Sequence, residues 1–346
     1  MEQHSESFYA GFRLVAMDGS SFDVPDEPGN AETFGYPEGG RGPAGYPKAQ
    51  CAVLVECGTH AILAGSIGAY RDAEWTLCQS LLSTLNSTML CMADRGFNGF
   101  EHWQQASQTG AQLLWRVAKS RNLPVNKVLE DGSFLSTIYR RDKKSERVLE
   151  AIDVRIIEYA LPNMPESEPR YRLMTTLLDP SAAPAQELAA LYHARWHVES
   201  VIDELKTHLR QSRRVLRSKT PDLVRQEFYG WMLAHYAVRW LMHSAARHGK
   251  KAHWTYLLLK IFIYFDAPNL SLALFPPAKQ EKRKQWFAQL LQNASRLKCI
   301  KSRQRKNPRM VKRRGTAFAS HKRGQKLHQP IDLTIVLVSP KPLSKS

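Results

Sequence analysis

Apolar residues fall in short blocks along the first third of the chain. Residues 12–17, FRLVAM, make a strand-length run that ends at Asp18-Gly19. Residues 49–57 and 60–68 read as two further strands, with Gly58-Thr59 between them predicting a hairpin. The period then changes. Trp75, Leu77, Leu81, Leu82 and Leu85 predict a helix over 72–86. TMLCMA at 88–93 is strand-like and is closed by Asp94-Arg95-Gly96, and a helix at 99–109 and a strand at 111–117 follow. The polar stretch Pro25 to Pro47 is rich in Gly and Pro and reads as a loop. Its EGGRGPAG lacks the G-K-[ST] ending of a phosphate-binding loop.

The resulting order, β-β-β-α-β-α-β, is that of a ribonuclease-H-like α/β fold, a mixed sheet flanked by helices. Residues 119–180 differ in character. Short β-like runs at 134–139, 148–157 and 171–178 alternate with Pro, Gly and charge clusters, which predicts a β-rich insertion. Ser181 can cap the helix that follows, and Pro184 suits its first turn. Helices are expected at 221–248 and 253–265. The expected organisation is therefore a core in two parts (8–118 and 181–275), an insertion (119–180) and a tail (276–346).

Charge gives the tail its meaning. The 346 residues carry a formal net charge of +17. Nineteen Lys and Arg against two Asp and Glu lie between Pro276 and Ser346, which leaves thirty of each sign in the other 275 residues. The whole excess thus sits in a basic C-terminal arm, as expected of a protein with a polyanionic partner. Five cysteines with no C-x-x-C pair read as free thiols of a reducing compartment, that is, a cytoplasmic protein. The N-terminus lacks the pattern of a signal peptide. The most apolar stretch, Tyr256 to Phe275, is interrupted by Lys260, Asp266 and Pro268, a poor membrane span.

One stretch concentrates polar chemistry. In YHARWHVESVIDELK, Tyr192, Arg195, Glu199 and Lys206 stand at offsets of 0, 3, 7 and 14. At about 100° per residue they share one narrow stripe of a continuous α-helix, about 21 Å long. Asp203 falls on the same stripe, so spacing alone leaves it open as a ligand. His193 and His197 are four apart but belong to no H-E-x-x-H, and they face away from the stripe.

The spacing Y-(2)-R-(3)-E-(6)-K resembles the signature of the IS-four-type insertion-sequence transposases, a branch of the DDE transposases. TTLLDP before it and LRSKTPDLVRQEFYGWMLAHY after it are similar to the same family, and the likeness covers roughly residues 12 to 245. The resemblance implies that Glu199 is the third metal-binding carboxylate and that Tyr192, Arg195 and Lys206 hold transposon-end DNA. It further implies that Asp18, in a D-G-[ST] context, and Asp94, in D-R-G-F, are the first two carboxylates. Arg116 matches an Arg beside the DNA end. Tyr171, four residues before Thr175, stands where the family usually has a Trp that stacks an extruded base.

Asp18 and Asp94 each follow an apolar strand. In the expected fold those strands are neighbours and the Glu199 helix packs across them, so the three carboxylates would converge. Such a set suits two Mg²⁺ or Mn²⁺ ions about 3.5–4 Å apart, which assist phosphodiester chemistry. The resemblance implies cleavage at transposon ends, strand transfer into target DNA, a homodimer that synapses two ends, no membrane, and a bacterial, nucleoid-associated location. Only 17 residues precede Asp18, where the family carries a longer DNA-binding region. Two rivals follow: a non-catalytic DNA-binding remnant, and a stand-alone ribonuclease-H-like nuclease.

Overall fold

A computed structural model describes residues 7–37, 45–97, 99–118, 121–142, 145, 147–163, 168–208, 215–248, 279–296 and 334–338. The elements in chain order are β1 (Phe8–Tyr9), β2 (Phe12–Asp23), α1 (Pro28–Phe34), β3 (Lys48–Glu56), β4 (Ile62–Ala69), α2 (Glu74–Gln79), β5 (Met89–Ala93), α3 (Phe100–Ser107), β6 (Gln112–Arg116), β7 (Lys127–Val128), β8 (Phe134–Arg141), β9 (Val148–Ala160) and β10 (Tyr171–Thr175). Then come α4 (Ala185–Ala194), α5 (Trp196–Asp203), a π turn (Glu204–His208), α6 (Pro221–His248), α7 (Gln280–Arg296) and β11 (Val336–Leu337). The expected helix at 253–265 lies outside the described residues. The chain divides into two compact units. One comprises Met1–Tyr9, Arg13–Thr84 and Trp196–Ser302, and the other Ala10–Phe12, Leu85–Arg195 and Arg303–Ser346.

In the first unit β2, β3 and β4 form an antiparallel meander. β2 does not stop at Asp18-Gly19 as the turn signal predicts. Its ladder with β3 continues to Asp23 opposite Lys48, because Phe22 and Val24 are still buried. A ladder of nine residue pairs with β3 outweighs a local preference for a turn. The polar Pro25–Pro47 loop also holds a helix, α1, with Pro at its first turn. Asn30 is fully buried there and donates to the carbonyls of Pro25 and Ser218, both at 3.2 Å. The expected 72–86 helix is shorter. α2 ends at Gln79, and the hydroxyl of its C-cap residue, Ser80, donates to the Leu77 carbonyl at 2.7 Å. Phe228 of α6 meets Phe22 edge to face at 6.0 Å. Within the basic arm, α7 is an ordered helix. Phe287, Leu290 and Leu291 pack on Leu241, Met242 and Ala245 of α6, and Trp240 stacks on Phe287.

The second unit holds a mixed sheet. β5 runs parallel to β6, and β10 lies antiparallel between β6 and β9. β9 continues to β8, and β8 to β7, in antiparallel pairs. All five residues of β5 are buried, as a parallel strand covered on both faces requires. Trp103 of α3 stands perpendicular to Trp115 of β6 at 5.2 Å, both buried. The β-rich stretch expected at 119–180 therefore extends the sheet from β6. β11 pairs with β9 at Ala160 and Tyr159. This mixed sheet with flanking helices is the α/β class that the order of elements predicts.

Arg155, on β9, is completely buried. Its Nε donates to Ser133 Oγ at 2.8 Å, and Nη1 donates to the carbonyls of Leu177 (3.2 Å), Asp179 (3.3 Å) and Ala183 (2.7 Å). Nη2 pairs with Asp131. Asp131 Oδ2 also accepts the Ala185 backbone N–H at 2.8 Å, so a carboxylate from the β7–β8 turn caps α4. Ser181 is not the cap. Its own N–H donates to Asp179 at 2.8 Å, and the N-cap residue is Pro184, which has no side chain to donate or accept. Removing Asp131 leaves a buried guanidinium and an open helix end. Asp131→Ala is expected to lower unfolding free energy by about 2–4 kcal/mol. Ser181→Ala is expected to change it by less than about 0.5 kcal/mol. Urea denaturation of both variants measures the contrast.

Candidate active site

Asp18, Glu199 and Lys206 belong to the first unit. Asp18 lies inside β2, opposite Val53, and its Oδ1 accepts the Gly19 N–H at 2.9 Å. Gly19 has a reason of its own. A Cβ there would collide with the carboxylate of Glu74, the first residue of α2. Glu74 was not among the sequence candidates, because nothing in DAEWTL marks it. Cys51 lies close enough to Asp18, Glu74 and Lys206 to feel their charges, yet burial is the larger influence and pushes its thiol up to about 12. Lys206 Nζ stands 5.5 Å from the centre of the Phe22 ring. Glu199 is half-buried on α5, whereas Asp203 is exposed.

The signature stretch is not one continuous α-helix. α4 ends at Ala194, Arg195 is its C-cap, and α5 passes into a π turn at Glu204 that contains Lys206. The stripe expected at about 100° per residue therefore does not run unbroken from Tyr192 to Lys206. Glu204 anchors the turn. His235 Nε2 is 2.9 Å from Glu204 Oε2, Arg239 pairs with the other oxygen, and Arg239 lies 3.1 Å from His60 Nδ1. Burial alone would raise the Glu204 carboxyl, but the hydrogen bonds of His235 and Arg239 and the charge of Arg239 bring it down to about 2.

The second unit holds Asp94, Arg116, Tyr171, Tyr192 and Arg195. Tyr192 is buried and its hydroxyl donates to the carbonyl of Ala93 at 3.2 Å. The signature tyrosine is thus tied to the residue before Asp94, 99 positions away in sequence. Burial raises the Tyr192 phenol, so it stays protonated and able to donate. Asp94 Oδ1 accepts the Arg95 N–H. Arg195 is buried beside Tyr192, with its guanidinium 5.6 Å from the ring centre. Arg116 pairs with Glu168 at 2.7 Å and lies over the Tyr171 ring at 4.8 Å. Tyr171 faces Tyr159 across the β10–β9 pair, and the two rings stack at 5.2 Å. Since β10 lies between β6 and β9, the Tyr171 ring is flanked by Arg116 on one side and Tyr159 on the other. His193 packs edge-on to both tyrosines, and burial lowers it to about 4, leaving a neutral ring. The side chain of His197 lies outside the described residues.

Residues 9–237, well over half of the chain and all eight candidate residues, match the family model described as the transposase DDE domain. The chain belongs to this family. Among curated proteins it is similar to the transposase InsG for insertion sequence element IS4 of Escherichia coli (strain K12), 26% identical over 251 residues, 71% of this chain and 55% of InsG. It is also similar to the putative transposase InsZ of the same organism, 26% identical over 154 residues, 44% of this chain and 51% of InsZ. The chain therefore spans about half the length of the curated relatives it matches. A cryo-EM structure of the piggyBac transposase synaptic complex with hairpin DNA aligns with 80% of this chain and 57% of that one, at 9% identity and a TM-score of 0.43, too loose a likeness to argue from.

The resemblance points to three carboxylates, Asp18, Asp94 and Glu199, and among the described residues no three His, Cys, Asp or Glu side chains are grouped to hold a metal ion. The donor chemistry nonetheless fits a hard cation: Asp18, Asp94 and Glu199 offer only oxygen. Sequence reasoning missed Glu74, Glu168, Arg95 and the Glu204 network, since no motif places a residue by the partner it meets in space. Glu204 gives a test through acid stability. Its folded value near 2 lies below its ordinary 4.5, so its contribution is intact above about pH 4.5 and is lost as pH falls toward 2. Burial lowers His235 as well, which adds acid sensitivity of the same sign below its ordinary 6.5. Glu204→Gln is expected to be less stable at pH 7 and to show a flatter fall between pH 4.5 and 2, read from urea midpoints across a pH series.

Proposed function

We propose that this DDE-family chain cleaves DNA at the ends of an insertion sequence and joins the freed ends to target DNA. The observation that carries the reading is the hydrogen bond from Tyr192 to Ala93. It couples the signature helix to the strand end bearing Asp94, a link that a chance match of spacing would not produce. In this reading Asp18, Asp94 and Glu199 hold two Mg²⁺ or Mn²⁺ ions, which when bound acidify an attacking hydroxyl and stabilise the leaving oxygen. The half-buried Glu199 suits that role better than the exposed Asp203. The chain's own contribution is placement. Arg116, Arg195 and Lys206 hold the phosphates of the transposon end, Tyr192 fixes the Asp94 segment, and Tyr171 offers a ring to an extruded base. The protein works as a homodimer on two ends, in a bacterial cytoplasm at the nucleoid. Among the described residues no helix is long and apolar enough to cross a membrane.

The deciding assay presents a precleaved transposon-end duplex, a supercoiled target and Mg²⁺. Strand transfer is the expected outcome. Degradation of unrelated duplex would favour a nuclease, and binding without reaction a remnant. Asp18→Asn, Asp94→Asn and Glu199→Gln are each expected to abolish cleavage while leaving DNA affinity within a few-fold of the parent. Near-parental cleavage by any one of them would remove that residue from the set.

The basic arm, 276–346, supplies sequence-independent grip in this reading. Deleting it would strip α7 from α6, so neutralisation is the cleaner experiment. Lys282, Arg283 and Lys284 are exposed on α7. Changing all three to Gln should reduce the slope of log affinity against log salt by about 0.9 for every phosphate these side chains neutralise. An unchanged slope, measured by fluorescence anisotropy, would show that α7 does not lie on DNA.

A further inference from the structure

Two arginines of the second unit converge on one carboxylate. Glu168 Oε1 lies 2.7 Å from Arg116 Nη2 and 3.4 Å from Arg95 Nη1. The group opens to solvent, since the side chains of Arg95, Glu168 and Arg116 are 61%, 34% and 18% exposed. Its surroundings fix it in place. Arg95 follows Asp94 directly in sequence, Arg116 covers one side of the Tyr171 ring, and the Glu168 N–H donates to the Tyr171 hydroxyl at 3.4 Å.

Two guanidinium groups held this close repel one another unless an anion lies between them. The anion here presents one oxygen, Oε1, to both guanidinium groups, as a non-bridging phosphate oxygen of DNA can when it lies between two arginines. We propose that Glu168 is an internal stand-in for a DNA phosphate. In the DNA-free protein it occupies Arg95 and Arg116, and through Arg116 it keeps the Tyr171 ring covered. A backbone phosphate that binds here takes over the arginines, Glu168 swings toward solvent, and one side of Tyr171 is uncovered. The inference rests on the proposed DNA-binding role of Arg116 and Tyr171. It adds to them an acidic residue that competes with DNA phosphate for the same two arginines.

The stand-in makes loss of an acid a gain in binding, but any lost negative charge near DNA would do the same. A double-mutant cycle separates the two. Full-length protein is titrated against a short random-sequence duplex, with fluorescence anisotropy as the readout, for the parent, Glu168→Gln, Arg116→Gln and the double variant. Glu168→Gln is expected to bind about three- to ten-fold more tightly, as befits release of partly exposed ion pairs. Arg116→Gln should bind more weakly, and adding Glu168→Gln to it should restore less than half of the gain seen in the parent. Glu168→Ala should repeat the gain if the effect is displacement and not a new hydrogen bond from Gln. Equal gains in both backgrounds would overturn the stand-in and leave general charge repulsion, with the DNA-binding reading intact. Parental binding with no gain in either Glu168 variant would also overturn it. Absence of binding by every variant would overturn both readings together.

Discussion

A fully buried guanidinium cannot be left with idle donors, and Arg155 organises its unit around that constraint. Its partners come from the β7–β8 turn, from the chain leaving β10 and from the start of α4. The last two segments are irregular backbone whose carbonyls of Leu177, Asp179 and Ala183 the guanidinium satisfies. One side chain thus fixes where the sheet ends and where the helix bearing Tyr192 begins. Asp131 serves both sides of the arrangement, pairing with the arginine and capping the helix. The position of Tyr192 beside Ala93 depends on that start, because a helix shifted by one residue would turn its hydroxyl by about 100°.

Much of the fold was legible. Runs such as TMLCMA and AQLLW are apolar at strand length, and burial on both faces leaves them no other way to pack. The order of elements and the β-rich character of 119–180 follow from such runs and from the breaks between them. What was not legible came from long-range partners. β2 passes through Asp18-Gly19 because β3 offers a ladder there. α4 is capped by a residue about fifty positions upstream instead of by Ser181. α1 hides in a polar loop because Asn30 finds a carbonyl of its own loop, Pro25, and one from a distant segment, Ser218. The break after Ala194 and the π turn that follows leave no mark in the spacing of Tyr192, Arg195, Glu199 and Lys206.

The candidate site divides in the same way. Its acids and cations could be named from motifs, since a motif records residue type and spacing. Their present engagements could not. Tyr192 is committed to a carbonyl, Arg116 to a carboxylate and a ring, and Tyr171 is flanked on both sides. These three side chains are thus engaged by the protein itself. Such self-pairing keeps strongly hydrated groups satisfied near an interior, so a ligand that reached them would have to exchange partners instead of filling open places.

The buried cysteines carry a practical consequence. Cys51 sits on β3 in one unit and Cys91 on β5 in the other, and burial holds both thiols up to about 12. At neutral pH either thiol is therefore held almost wholly in its protonated, non-nucleophilic form. An alkylating reagent will find neither while the strands stay closed. Each thiol therefore acts as a silent clock for its own unit, and the rate at which it becomes labelled counts how often that part of the sheet opens.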